Sequence, residues 1–175
     1  MRVLIISSYY YPNMLGGTEH SIKLLAEGLV KNGHEVFVIS ADKKDKESEE
    51  INGVKVFRFD LKFRSKLIVW KLIRKGFEFR NYMIRNKLKS LIHEISPDVI
   101  HTNSLFYLSP IVWDIAKKED IKVVHTLRDY WGICPKCTLL NHKNEICYKK
   151  GVLCKIHQLN YQRSAKNIDI VTAPS

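Results

Sequence analysis

Met1-Arg-Val-Leu-Ile-Ile-Ser7, then Ser8-Tyr-Tyr-Tyr-Pro-Asn-Met-Leu-Gly-Gly17, then Thr18–Lys31, is the stretch whose reading decides the fold. Arg2–Ser7 is short, apolar and rich in β-branched residues, as expected of a buried parallel strand. The next segment carries Pro12 and the pair Gly16–Gly17 and reads as a loop. In Thr18–Lys31, Ile22, Leu25, Ala26, Leu29 and Val30 recur at the spacing of one helical face. Thr18 is expected as the N-cap, and Gly33 stands where a helix end favours a left-handed residue. Glu35–Ser40 is a second strand. Strand, loop, helix and strand fit into about 40 residues, the length of a right-handed crossover unit.

Working outward, Ala41–Glu50 is expected to be a charged loop without core residues. Gly53–Phe59 alternates and predicts a third strand. Leu61–Ile95 is expected to be mostly helical, with Ile84, Leu88, Leu91 and Ile95 on one face and Gly76 weakening its middle. Asp98–Thr102, Lys122–Thr126 and Asp169–Thr172 are expected strands. Ser109–Lys118 and Lys155–Lys166 are expected helices, and a loop runs from Arg128 to about Cys154. Strands alternating with helices predict an α/β chain, a Rossmann-like doubly wound parallel sheet forming a single domain over residues 1–175. In such sheets ligands bind beyond the carboxyl ends of the strands, which directs attention to Ser7–Gly17, Thr102–Ser109 and Thr126–Cys137.

The 175 residues, 45% of them hydrophobic and 27% charged, suffice for a sizeable core and exclude a wholly disordered chain. No run approaches the roughly 18 apolar residues that span a bilayer, and Arg2–Ile6 is too short for a signal peptide, so a cytoplasmic location is expected. The net charge of +11 is unevenly spread. Ten basic and two acidic residues lie between Leu61 and Ile95. Such a stripe implies an anionic partner. Lys66, Trp70, Lys71, Arg74 and Lys75 mix cations with an aromatic ring in the manner of a headgroup-binding helix, so contact with a membrane or an acceptor is expected there. A solvated face with aromatics in the core is the plain alternative. No helix-turn-helix, zinc-finger or RNA-binding signature accompanies the charge, so nucleic acid is not expected.

Gly16-Gly17-Thr18 opens a helix after a strand. Unpaired N–H groups and the helix dipole favour an anion there, and glycine lets a phosphate approach the backbone. The loop is neither a Walker loop nor the G-x-G-x-x-G dinucleotide fingerprint. By itself it is also consistent with a plain turn.

Met1–Ser7, Tyr9–Pro12, Gly16–Glu19 and Gly33-His-Glu-Val36, with Pro97-Asp-Val-Ile-His101 and His125-Thr-Leu-Arg-Asp-Tyr-Trp-Gly-Ile-Cys-Pro135 in the same order, resemble the amino-terminal domain of glycosyltransferase family 4. The resemblance implies the first half of a two-domain GT-B architecture and a retaining transfer from a nucleotide sugar to a hydroxyl. The second domain, which in the family carries an E-x7-E motif and the cations that grip the donor, is absent from these residues. The fragment alone is therefore expected to be inactive. The acceptor implied is a glycolipid or polysaccharide precursor. An accompanying expectation is peripheral attachment at the inner face of the cell membrane.

Many members of that family carry His-Asp where this chain has Arg128-Asp129. Carried over, Arg128 and Asp129 are the candidate catalytic residues, Arg128 serving as a fork for phosphate oxygens rather than as an imidazole. Gly16, Gly17, Thr18, His101 and His125 are the candidate contacts to donor phosphate or acceptor. Packed strand ends are the other reading of both histidines. No cofactor for catalysis is expected. Cys134-x2-Cys137-x9-Cys147-x6-Cys154 contains one chelating pair and two looser ligands, with His142 and His157 as spare donors. It fits a structural zinc site. It also fits reduced thiols, and a disulfide is the third reading. A non-catalytic basic binding module for membrane or nucleic acid is the alternative function.

Overall fold

The computed structural model describes residues 1–42, 46–60, 82–106, 108–141, 143–148 and 151–174. The expected membrane or acceptor contacts Lys66, Trp70, Lys71, Arg74 and Lys75 lie outside the described residues, as does His142.

Seven strands form one sheet in the order β3-β4-β2-β1-β5-β6-β7. They are β1 (Arg2–Ile6), β2 (Glu35–Asp42), β3 (Lys46–Ile51), β4 (Val54–Asp60), β5 (Val99–Thr102), β6 (Lys122–Thr126) and β7 (Ile170–Thr172). All neighbours run parallel except β3, which pairs antiparallel with β4. Four helices stand among the described residues: α1 (Gly17–Lys31), α2 (Tyr82–Ile95), α3 (Ile111–Lys118) and α4 (Val152–Ala165). The doubly wound α/β sheet inferred from the sequence is the observed one.

Strand alternation divides the core in two. Leu4 and Ile6 face α2 and α3, joining Leu88, Ile92, Val112 and Trp113 in the larger cluster. Val3 and Ile5 face the other way, onto Ile22 and Ala26 of α1. A residue buried at each pleat on both faces produces the nearly continuous apolar runs of the central strands. Ile84, Leu88, Leu91 and Ile95 are all buried, so the periodicity of α2 marks its core face correctly. Leu25 is 37% exposed and lies on the rim of α1 rather than in its core face. Gly33 adopts φ +79°, closing α1 with the Gly33 amide on the Val30 carbonyl.

Two boundaries differ from expectation. Ala41–Glu50 is not one loop: β2 runs on through Asp42, and β3 begins at Lys46. β3 (KESEEI) is an edge strand whose backbone ladder is made on one side only, so it needs no apolar alternation and escapes pattern reading. α1 starts at Gly17 with Gly16 as its N-cap, so Thr18 lies in the first turn. Glu19 takes over the capping role: its Oε2 accepts from Gly16 N at 2.8 Å and Leu15 N at 3.3 Å. No helix among the described residues is long and apolar enough to cross a membrane.

Candidate functional site

The chain order leaves β1 and then crosses to opposite sides, through α1 to β2 and later to β5, so β1 and β5 flank the topological switch point. Three segments meet at their carboxyl ends. Ser7 and Ser8 continue β1, and Ser8 N donates to Ser104 O at 2.8 Å. Asn103 continues β5, with its amide on Ile6 O at 2.9 Å. Arg128 stands two residues beyond β6.

Arg128 joins these pieces. Its Nε donates to Asn103 Oδ1 at 3.2 Å and its Nη2 to Ser21 Oγ on α1 at 3.1 Å. A half-buried guanidinium is thereby held beside the first turn of α1. Burial holds its pKa below the ordinary arginine value. A guanidinium stays charged at neutral pH all the same. Gly16 and Gly17 have no heavy atom within 4 Å of where a Cβ would sit, so the backbone there is approachable. The opening N–H groups of a helix have no intrahelical acceptor. Two buried polar atoms at the switch point also lack a hydrogen-bond partner among the described residues: Ser7 Oγ and Asn103 Nδ2. Cation, helix start and unsatisfied donors together can receive a phosphate-like anion.

Asp129 does not pair with Arg128 among the described residues. Its Oδ1 accepts from Trp131 N at 2.8 Å and its Oδ2 from Ser104 Oγ at 3.3 Å, so it shapes the turn after β6 and links it to the β5 loop. Asn103 and Ser21 orient Arg128. A cleft of about 440 Å³ opens alongside, lined by Arg128, Asp129, Tyr130, Ile133 and Tyr161 among others.

The two histidines part company. His101, half-buried, hydrogen-bonds through Nε2 with Thr126 Oγ1 at 2.7 Å, and Thr126 in turn with Thr172 Oγ1 at 2.7 Å. Burial, then the charge of Arg128, lower its pKa from 6.5, so it is neutral at pH 7 and adjoins the arginine. His125 lies in the core against the Trp113 ring, with centroids 5.0 Å apart. Its Nδ1 meets Thr102 Oγ1 at 2.9 Å and its Nε2 meets Tyr161 OH at 3.3 Å. Burial pushes it down to about 4. Both ring nitrogens of His125 are thus engaged beside the larger core cluster, as in a packed strand end.

No disulfide joins Cys134, Cys137, Cys147 and Cys154. Among the described residues no group of three or more His, Cys, Asp or Glu is placed to hold a metal. Backbone turns organise the segment instead: Cys137 N donates to Cys134 O at 2.9 Å and Cys147 N to Leu139 O at 2.8 Å. His157, a spare donor in the sequence reading, is buried and hydrogen-bonds through Nε2 with the Trp131 carbonyl.

Sequence reading missed Ser7, Ser21, Asn103 and the buried Arg58. Asn103 had a usable signal, since it directly follows a strand at the carboxyl edge. Ser21, on a helix and far from Arg128 in sequence, had none.

A mostly parallel, doubly wound sheet with β1 and β5 at its switch point defines a Rossmann-like α/β domain. The chain belongs to glycosyltransferase family 4, whose family model matches residues 15–175. It is 33% identical over 182 residues to a 42.6 kDa protein of the cps region of Klebsiella pneumoniae, covering 97% of this chain and 48% of that protein. It is also 33% identical over 129 residues to the alpha-monoglucosyldiacylglycerol synthase of Acholeplasma laidlawii, covering 73% and 29%. Among solved structures, a sucrose-phosphate synthase of Thermosynechococcus elongatus shares the fold with a TM-score of 0.61 at 16% identity, covering all of this chain and 77% of that one. The chain spans about half the length of the Klebsiella relative and less of the Acholeplasma one.

Proposed function

We propose that the chain is the acceptor-side domain of a retaining glycosyltransferase that moves a hexose from a nucleotide sugar to a hydroxyl. The observation that carries this reading is the placement of Arg128, held by Asn103 and Ser21 against the open glycines at the start of α1. In this reading Arg128 and the first amides of α1 receive the donor diphosphate. Charge grows on that group as the glycosidic bond breaks, and prearranged cations and N–H dipoles stabilise it most where charge develops. Asn103 Nδ2 and Ser7 Oγ supply further contacts to donor or acceptor. Asp129 shapes the loop, and the cleft beside Tyr130 and Ile133 receives the acceptor. Remaining donor contacts come from polypeptide beyond these residues, so residues 1–175 alone do not turn over. Membership of the family, and a lipid-glycosylating relative by name in Acholeplasma, support a glycolipid or polysaccharide-precursor acceptor at the inner membrane face.

The test is donor turnover by the complete encoded polypeptide, isolated with membranes, against a panel of nucleotide sugars. Transfer from one donor, lost in Arg128→Ala while the variant stays folded by circular dichroism, is the expected result. Absence of turnover with every donor overturns the reading.

A further inference from the structure

We infer that Arg58 is a positioning residue for the donor site, holding the loop between β1 and α1 through the backbone carbonyls of Tyr10 and Tyr11. The inference rests on the glycosyltransferase reading above for its kinetic consequence, but its structural part stands alone.

Arg58 lies on β4 with 0% exposure. A buried cation is costly unless paired and fully hydrogen-bonded. Here Nε bonds Glu49 Oε1 on the edge strand β3, and Asp42 Oδ2 at the end of β2 lies 3.7 Å away. These carboxylates neutralise one edge of the guanidinium. The other edge turns to the loop: Nη2 donates to Tyr11 O at 2.6 Å, and Nη1 to Tyr10 O at 3.4 Å and to Ser40 Oγ at 3.3 Å. A charged pair of this kind is rarely worth more to stability than apolar packing of the same volume. What an arginine adds is a planar fork that fixes two successive carbonyls at once, which the single ammonium of lysine does not reproduce.

From those carbonyls the chain runs through one tight turn, with Asn13 N on Tyr10 O at 3.0 Å and Met14 N on Pro12 O at 3.0 Å. It then arrives at Leu15 and Gly16, whose amides are held by Glu19. The loop is thus fixed at its start by Arg58 and at its end by Glu19, and Gly16–Gly17 can move only as far as these anchors allow. The edge strand β3, which contributes no large apolar residue from Lys46 to Glu50, contributes Glu49 to this anchor.

Arg58→Lys in the complete encoded polypeptide is the decisive variant, because it keeps a positive charge beside Asp42 and Glu49; Arg58→Met removes that charge and serves as the unfolding control. With Arg58→Lys fully folded, the KM for the nucleotide sugar should rise about ten-fold, with a smaller change in kcat and an unchanged KM for the acceptor. Amide hydrogen exchange should quicken at residues 13–17 and stay unchanged in β2 and in α1 beyond its first turn. A wild-type donor KM, or activity that falls only with the unfolded fraction, overturns the kinetic role. If the wild type turns over no nucleotide sugar, the glycosyltransferase reading fails instead, and exchange alone decides the anchor. Unchanged exchange at residues 13–17 overturns the inference outright.

Discussion

The β1–α1 loop and the β6–α4 loop stand at the same edge of the sheet and are held in different proportions by polar grip and apolar packing. The first is short, and ionised side chains grip its backbone: Arg58 at Tyr10 and Tyr11, Glu19 at Leu15 and Gly16. The second leaves β6 at Leu127 and combines apolar packing with polar contacts to its backbone, Asp129 Oδ1 on Trp131 N, His157 on the Trp131 carbonyl and Gln158 Nε2 on Ile133 O. Trp131 is 4% exposed and stacks edge-on against His157 and Tyr161. Gly132 is required beside it, because a Cβ there would lie 2.6 Å from Tyr161 Cζ. A loop whose backbone N–H groups are to meet a ligand needs directional restraint on individual peptide groups, which hydrogen bonds supply. A loop that presents side chains near its start, Arg128 among them, needs an anchor nearby, which Trp131 supplies.

The largest expected effect falls on the second loop. Trp131→Ala removes a buried indole from the larger core cluster and should cost about 3–5 kcal/mol of unfolding free energy in urea titrations. Exchange rates at residues 13–17 should not change; if they rise with it, the two loops are one cooperative unit and the contrast is broken. Next, Arg128→Ala should lower kcat/KM for the donor by about 10²–10³-fold, the usual loss of one prearranged donor to a developing anion. Thermal melting should barely move, and Arg128→Lys should recover little of the activity, since the links to Asn103 and Ser21 need a fork.

Acid should separate the loops further. His125 binds a proton near pH 4 in the folded chain and near pH 6.5 when unfolded. Between these values the unfolded state holds more protons, so stability rises with pH across this window. It is lost as pH falls, by at most about 1.4 kcal/mol per pH unit from this group. Burial lowers His101 and His157 as well, giving the same sign. His125→Asn should flatten the slope of unfolding free energy between pH 6.5 and 4, and a slope equal to wild type would show the acid response to lie elsewhere. Segment 127–134, resting on Trp131 and its neighbour His157, should open to hydrogen exchange before segment 8–16, which contains no histidine. The smallest effect is Glu19→Ala, expected to cost about 1 kcal/mol as a lost helix cap, read by thermal melting, with faster exchange at Leu15 and Gly16 only.

The first loop was the more legible of the two. Pro12, Gly16 and Gly17 announce a turn leading into a helix, and their place after a strand of an α/β chain marks the ligand edge. What grips that loop was illegible, since Arg58 and Glu49 belong to other strands and meet the loop only after β3 and β4 fold back beside β2. In the second loop, the cysteine spacing was legible, but the turns at Cys134–Cys137 and Leu139–Cys147 were not, since spacing counts residues rather than angles.

The sequence by itself determined the order of strands and helices apart from the edge strand β3, the doubly wound sheet, the core face of α2, most of that of α1, and the family. Each is written in periodicity and local motifs, which act within a few residues of themselves. The tertiary structure decided which polar groups face the crevice. Val-Ile-His101-Thr102 and Val-Val-His125-Thr126 end two adjacent strands in nearly the same way, yet Thr102 pairs with His125 and His101 pairs with Val124. That stagger of one residue turns the two imidazoles to opposite faces of the sheet, one beside Arg128 and one into the core against Trp113. Period-two alternation states that side chains alternate; the register between strands, set by packing on both faces, states which way each one points.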